Sequence, residues 1–277
     1  MPYYNKLGNL DKDVIILSRS KPPRRPRMLM SGDGITYIWR RNPFIAVWWS
    51  AAFPGFGQLL LNQYARGILL TLSEVIINRL GHVNEAMVYT FCGRFDLVRA
   101  SLQPRWMYGY LVIYLYAIWN SYRSAITFNR LSHLAELENT RIVGLVIHPV
   151  EIQYLERKNP ITGAFWSLAF PGLGQLYNQR VSLGIYAILW WWIFTTLSHT
   201  YDSLFLFLSG RLEESITLLD PQWLMFMPSV TGGSVYYAYI TAVDQNHIFM
   251  TEQKQFFAEQ YRGANVCIFP KKGMGRC

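Results

Sequence analysis

One stretch limits the folds open to this chain more than any other. Phe53-Pro54-Gly55-Phe56-Gly57-Gln58-Leu59 returns 117 residues later as Phe170-Pro171-Gly172-Leu173-Gly174-Gln175-Leu176. Each copy follows an apolar run rich in Trp, Phe and Ala and leads into a second apolar run. Proline removes a backbone donor and the paired glycines permit sharp turning, so each unit reads as hydrophobic segment, break, hydrophobic segment. The match extends well beyond the motif. Arg40-Arg41-Asn42-Pro43 corresponds to Arg157-Lys158-Asn159-Pro160, Gly67-Ile68 to Gly184-Ile185, Gly93-Arg94 to Gly210-Arg211 and Pro104-x-Trp106 to Pro221-x-Trp223, all at one offset without a gap. Self-similarity this long and this constant is the signature of an internal duplication.

The duplication is set in an apolar chain, with 51% hydrophobic and only 16% charged residues; a typical soluble domain has about 25% charged. Ten tryptophans and eighteen tyrosines suit rings placed at headgroup depth, apolar in body and polar at one atom. The expected fold is therefore all-α: a polytopic helical membrane protein of two tandem repeats of about 117 residues, multi-pass in the cell membrane. The expected divisions are a basic, partly disordered leader over 1–41, a first membrane repeat over 42–128, a polar linker over 129–158, a second repeat over 159–243 and a polar tail over 244–277.

Charge gives the expected orientation. The net charge is +9, and residues 1–41 hold nine of the 26 Lys and Arg against three Asp. A basic run before a first apolar segment marks the cytoplasmic side and attracts anionic lipid headgroups. No nucleic-acid module accompanies it, so the expected partners are the bilayer and another membrane protein or a second copy. Cys92, Cys267 and Cys277 show neither disulfide nor metal spacing. No metal and no cofactor is expected.

Each unit offers three apolar segments: in the first, Pro43 to Leu61, Gly67 to Leu80 (or on to Phe91) and Trp106 to Phe128. Asn42-Pro43 is a helix start, the Asn side chain capping free amides and Pro fitting the first turn. About ten residues separate Pro43 from Pro54, half the roughly 20 a crossing needs. Two topologies stay open. Six spans would invert the second unit relative to the first, as in many transporters; four spans with two re-entrant hairpins would keep the units parallel.

The candidate site residues fall in two groups. Pro54, Gly55, Gly57 and Gln58, with Pro171, Gly172, Gly174 and Gln175, form the structural motif; a buried Gln amide there needs partners. Read as packing, the Gln ties the broken helix to a neighbour; read as a site, Gln58 and Gln175 face a polar substrate at a shared centre. The second group is a candidate polar membrane site: Glu74, His82, Glu85 and Arg94 in the first unit, His199, Asp202 and Arg211 in the second. His82/Glu85 and His199/Asp202 stand three apart and share a helix face. A carboxylate such as Glu74 inside an apolar segment is costly unless paired or facing a polar interior. Its counterpart is Trp191, and Arg79 lies too far round the helix to be its ideal partner.

Around Phe170-Pro171-Gly172-Leu173-Gly174-Gln175-Leu176-Tyr177-Asn178, followed by Gly184, the sequence resembles a broad group of poorly characterised bacterial polytopic membrane proteins with PGLGQLYN-like hairpins, loosely similar to TM2-domain proteins. The first copy departs at Leu60-Leu61, where the Tyr-Asn pair would fall. The resemblance implies a membrane hairpin and a bacterial source, and it brings no reaction with it. With no catalytic constellation in the sequence, the expected function is a non-enzymatic integral membrane protein, an accessory or scaffold subunit. A small transporter or channel using the paired broken helices is the alternative, and a membrane-associated enzyme the third reading.

Overall fold

In the computed structural model, which describes residues 24–31, 34–147, 149 and 152–261, the chain is mostly helical. The basic run Lys21-Pro22-Pro23 and the tail from Arg262, with Cys267 and Cys277, lie outside the described residues. A hairpin of β1 (Met28–Ser31) and β2 (Gly34–Tyr37) comes first. It is followed by α1 (Pro43–Ala52), α2 (Phe56–Leu60), α3 (Tyr64–Gly81), α4 (Val83–Phe91), α5 (Phe95–Ser101) and α6 (Pro104–Glu138). A second hairpin, β3 (Leu145–Ile147) with β4 (Ile152–Tyr154), precedes α7 (Pro160–Ala169), α8 (Leu173–Tyr177), α9 (Val181–Leu197), α10 (Thr200–Leu208), α11 (Leu212–Leu218), α12 (Pro221–Leu224) and α13 (Met227–Gln260).

The 117-residue offset recurs in these boundaries. It relates α1 to α7, α2 to α8, α4 to α10 and α5 to α11 at both ends, and it carries the pair Met28↔Tyr37 onto Leu145↔Tyr154. It recurs in the backbone as well: Gly55 and Gly172 have φ 104° and 106°, Asn62 and Gln179 both 58°, His82 and His199 53° and 55°. The same chemistry closes both helix starts. Asn42 Oδ1 accepts from Phe44 N–H and Asn159 Oδ1 from Ile161 N–H, each at 3.0 Å.

Within each unit the motif folds the chain back on itself. Helix α1, about 15 Å long at 1.5 Å per residue, stops at Phe53, Gly55 takes a left-handed conformation and α2 returns. Leu61 ends beside Ala46 near the start of α1, packed with Ala125 of α6. The fold-back is tight at Gly57, where a Cβ would sit 2.2 Å from the Ala46 carbonyl oxygen, and at Gly174, 2.1 Å from that of Gly163. Helix α3 then leads away and ends at the left-handed His82, which settles its far boundary short of Phe91. Helix α6 runs back along α1 and α3.

Both hairpin motifs therefore start and finish at one end of the molecule. Arg180, just before α9, donates to Asn62 Oδ1 at 3.0 Å and to the Tyr64 hydroxyl at 2.9 Å. The β1–β2 hairpin sits on this junction, with Ile35 and Tyr37 buried against Ile142 and Ile248. Part of the stretch read as a leader is thus a packed hairpin. The long helices also outrun the expected unit boundaries, α6 to Glu138 and α13 to Gln260. Between the units the core is Phe53 and Val75 against Phe194, Phe226 and Val230.

Gly57→Ala is expected to destabilise by roughly 2–3 kcal/mol, because the added methyl meets backbone that cannot step aside. Gly109, where the nearest atom to an added methyl would lie 4.0 Å away, is the control: Gly109→Ala should be neutral or stabilise by up to about 1 kcal/mol. Thermal melts of the two purified variants compare them.

Candidate functional site

The two motif glutamines lie in separate places, each closed within its own unit. Gln58 Oε1 accepts from Ser50 Oγ at 3.2 Å, and its Nε2 donates to the Ala117 carbonyl at 3.1 Å and to Asn120 Oδ1 at 3.3 Å. Gln175 repeats this, accepting from Ser167 Oγ at 3.1 Å and donating to the Ser234 carbonyl at 3.0 Å. Both amides are buried with donor and acceptor ends satisfied. They act as ties from the broken helix to the long helix beside it, and neither holds a free group toward a shared centre.

The buried cluster with chemistry to spare forms around Glu74. Helix α3 turns Gly67, Thr71, Glu74, Asn78 and Gly81 inward at helical spacing. Asn78 is its hub. Its Nδ2 donates to Glu74 Oε1 at 3.0 Å and to Asn84 Oδ1 at 2.9 Å, while its Oδ1 accepts from Asn84 N–H at 3.1 Å and Gln222 Nε2 at 2.8 Å. All four hydrogen bonds an amide can make are made. Gln222 comes from α12 of the second unit; its Oε1 accepts from Glu85 N–H at 3.0 Å and its carbonyl from Asn84 Nδ2 at 3.0 Å.

Glu74 is 3% exposed. Its second oxygen, Oε2, is buried without a hydrogen bond of ordinary length, and the Tyr110 hydroxyl is its neighbour. The amide network fixes the carboxylate from one side, through Asn78, Asn84 and Gln222. Arg79 does not pair with Glu74; its guanidinium lies over the Trp223 ring at 6.0 Å.

Of the residues singled out in the sequence, the fold brings Glu74, His82 and Glu85 to one network and leaves Arg94, His199, Asp202 and Arg211 outside it. His82 Nδ1 meets Glu85 Oε2 at 2.8 Å, and Glu85 Oε1 also accepts from the Tyr89 hydroxyl at 3.0 Å. His199 stands 3.6 Å from Asp202, both half-exposed or more. The two His–acid pairs do not converge, and among the described residues no three His, Cys, Asp or Glu gather as a metal site. Arg211 forks onto Glu214, Nε to Oε1 at 2.8 Å, and Arg94 is exposed at the start of α5. Sequence reasoning missed Asn78, Asn84, Tyr110 and Gln222. Asn78 was within reach, one helical turn from Glu74; Gln222 was not, because it arrives from the other unit.

A second polar junction lies at the end where the motifs meet. Arg180 is buried, flanked by the rings of Tyr37 and Tyr237 at 4.9 and 5.6 Å. Arg41 pairs with Asp244 of α13. Burial pushes the Tyr37 phenol up to about 12, so it stays protonated and donates to the Thr241 carbonyl at 3.0 Å.

The sequence matches no family model, no curated protein and no solved structure. Among the described residues no single helix is long and apolar enough to cross a membrane alone, while the pair α9 and α10, bent by 60°, would do so together by length and composition.

Asn78→Leu should cost roughly 2–5 kcal/mol, since it leaves a buried carboxylate and two amides short of partners at once. Glu74→Gln keeps an acceptor for Asn78 and removes the buried charge, so its melting temperature is expected to equal or exceed that of the native chain.

Proposed function

We propose that the chain is a non-enzymatic integral membrane protein that works as an accessory or scaffold subunit, through contacts with lipid and with other membrane proteins. The observation that carries this reading is the inverted placement of polar and apolar side chains. Helix α6 turns Ala117, Ser121, Ser124 and Ala125 inward and Leu111, Val112, Leu115, Tyr116 and Trp119 outward. Helix α3 buries Thr71, Glu74 and Asn78 while exposing Leu69, Leu72, Ile76 and Leu80. In water such exposed apolar faces are the kind that mark contact with lipid or another protein. In lipid they are the ordinary outer surface, and small residues let the helices approach within. The same placement accounts for the modest hydropathy of each helix, because polar residues that lower the average face the protein.

In this reading the duplicated units lie parallel. Helices α3, α6, α9 and α13 cross, and α1–α2 and α7–α8 are re-entrant hairpins from one side. The junction of Arg180 with Asn62 supports that arrangement over six spans, since it holds the two return points at one end. Arg25, Arg27, Arg40, Arg41, Arg157, Lys158 and Arg180 gather toward this end, which supports reading it as the cytoplasmic one. The small-transporter reading retains one supporting observation, the buried and incompletely paired Glu74. The motif glutamines no longer favour it.

Single cysteines at the exposed Ala65 and Ser182, in the first turns of α3 and α9, probed in sealed vesicles with an impermeant maleimide, are expected to react from the same, cytoplasmic side. Labelling from opposite sides would sink the parallel arrangement. Carbonate washing is expected to leave the protein in the membrane pellet; release into the wash would sink the membrane reading itself. Flux lost in Glu74→Gln with protein level unchanged would favour the transporter over the scaffold.

A further inference from the structure

Two open clefts meet at the seam between the units. The first is lined by Trp49, Phe53, Phe56, Tyr186, Trp190 and others, almost wholly apolar, and is narrow, with about 50 Å³ enclosed. The second, with about 170 Å³ enclosed, is lined by Trp39, Arg40, Arg41 and His247 at the hairpin end and by Ile45, Leu61, Ile240 and Val243. Leu60 and Tyr236 line both, so they form one groove with a cationic mouth and an apolar floor.

The mouth carries cation in excess. Arg40 bonds Glu136, and Arg41 pairs with Asp244. Arg180, which donates to Tyr237 of the apolar cleft, has no carboxylate partner among the described residues. Arg180 lines neither cleft; among the residues that do line the mouth, the guanidiniums of Arg40 and Arg41 stand against one carboxylate, that of Asp244. Arg41 Nε is buried with no acceptor, a donor direction that an added oxyanion satisfies. A buried guanidinium nitrogen left unpaired is costly.

From this we infer that the seam groove binds one anionic diacyl phospholipid, its phosphate at Arg40 and Arg41 and one acyl chain running past Leu60 and Tyr236 to Phe56 and Trp190. The inference rests on the membrane reading, because only a bilayer supplies this ligand laterally. Charge selects the headgroup: a zwitterionic lipid offers the same phosphate with a cation attached, which the arginines repel. Shape selects a chain, since the floor offers a headgroup alone nothing to bond.

The test is native mass spectrometry of the full chain released from nanodiscs containing equal phosphatidylglycerol and phosphatidylcholine. One phosphatidylglycerol adduct per chain is expected, favoured over phosphatidylcholine by at least about fivefold, the factor a single interfacial arginine supplies. Arg40→Gln, a change at an exposed side chain, should cut that preference about fivefold. Ala187→Phe, which fills the floor, should lose the adduct while helical circular dichroism stays unchanged. Glycerol 3-phosphate alone should leave no adduct; if it binds equally, the site takes free phosphate esters and the lipid proposal falls. Equal retention of the two lipids overturns the site, as does a lipid-free dimer, which would give the groove to a second copy. A chain that resists carbonate washing yet shows no preference loses only this inference. A chain released by carbonate loses the membrane reading as well.

Discussion

The fold depends on how a broken helix is kept satisfied in a dry interior. Ending α1 at Phe53 and turning at Gly55 frees backbone groups that a continuous helix would have paired. Phe53 N–H returns to the Trp49 carbonyl at 3.0 Å and Leu59 N–H to Gly55 at 3.0 Å, so the turn itself is closed. What holds the returning arm is Gln58, which reaches back to Ser50 on α1 and across to the Ala117 carbonyl on α6. One side chain therefore joins three helices. Its acceptor is a backbone carbonyl of a long helix, a group available whatever the side chain there, which is how Gln175 makes the same bond to residue 234, a serine.

The glycines of the motif make that tie geometrically available. With Gly57 the α2 backbone lies against α1 closely enough for the amide to reach Ser50; a methyl would hold the arms apart. Gly67 and Gly184 extend the same logic to α3 and α9, where Leu59 and Leu176 fill the space a Cβ would take. Pro-Gly-x-Gly-Gln is thus a single packing device. Its glycines serve the turn and the close approach of the arms, and the Gly172 N–H is taken by Ser234 Oγ at 3.0 Å.

Much of this was legible in the sequence for a physical reason: the duplication supplies two independent readings of each local rule. Asn before Pro opens α1 and α7, and the offset carried both boundaries of α1, α2, α4 and α5 onto their counterparts. The hairpin β1–β2 was not legible, because four-residue strands in a basic stretch carry no pattern of their own and gain stability only by burying Ile35 and Tyr37 against α13. Nor was the extension of α6 to Glu138, where apolar periodicity gives way to Arg25 and Arg40 holding Glu138 and Glu136. The Glu74 network was half legible. An intra-helical partner follows from spacing, but a hydrogen bond between residues 78 and 222 follows only from how the units dock.

That docking is not reciprocal, and the asymmetry explains where chemistry survives. Near the hairpin end Thr71 of α3 bonds Tyr186 of α9. Farther out one side closes and the other does not. Trp49 stacks near Tyr236 at 5.2 Å and Phe56 lies where a Cβ on Gly233 would be, at 2.3 Å. Their counterparts Trp166, Trp119 and Tyr116 are exposed. Glycine at 233 permits the close approach that tyrosine at 116 forbids. Once one side closed, only the first unit had an α3–α4 corner sealed by the other unit, and only there do Glu74, Asn78 and Asn84 occur, answered in the second unit by Trp191, Thr195 and Tyr201. A carboxylate at the open corner would lack these partners; the buried one is tolerable because Asn78, itself held by Gln222, bonds it.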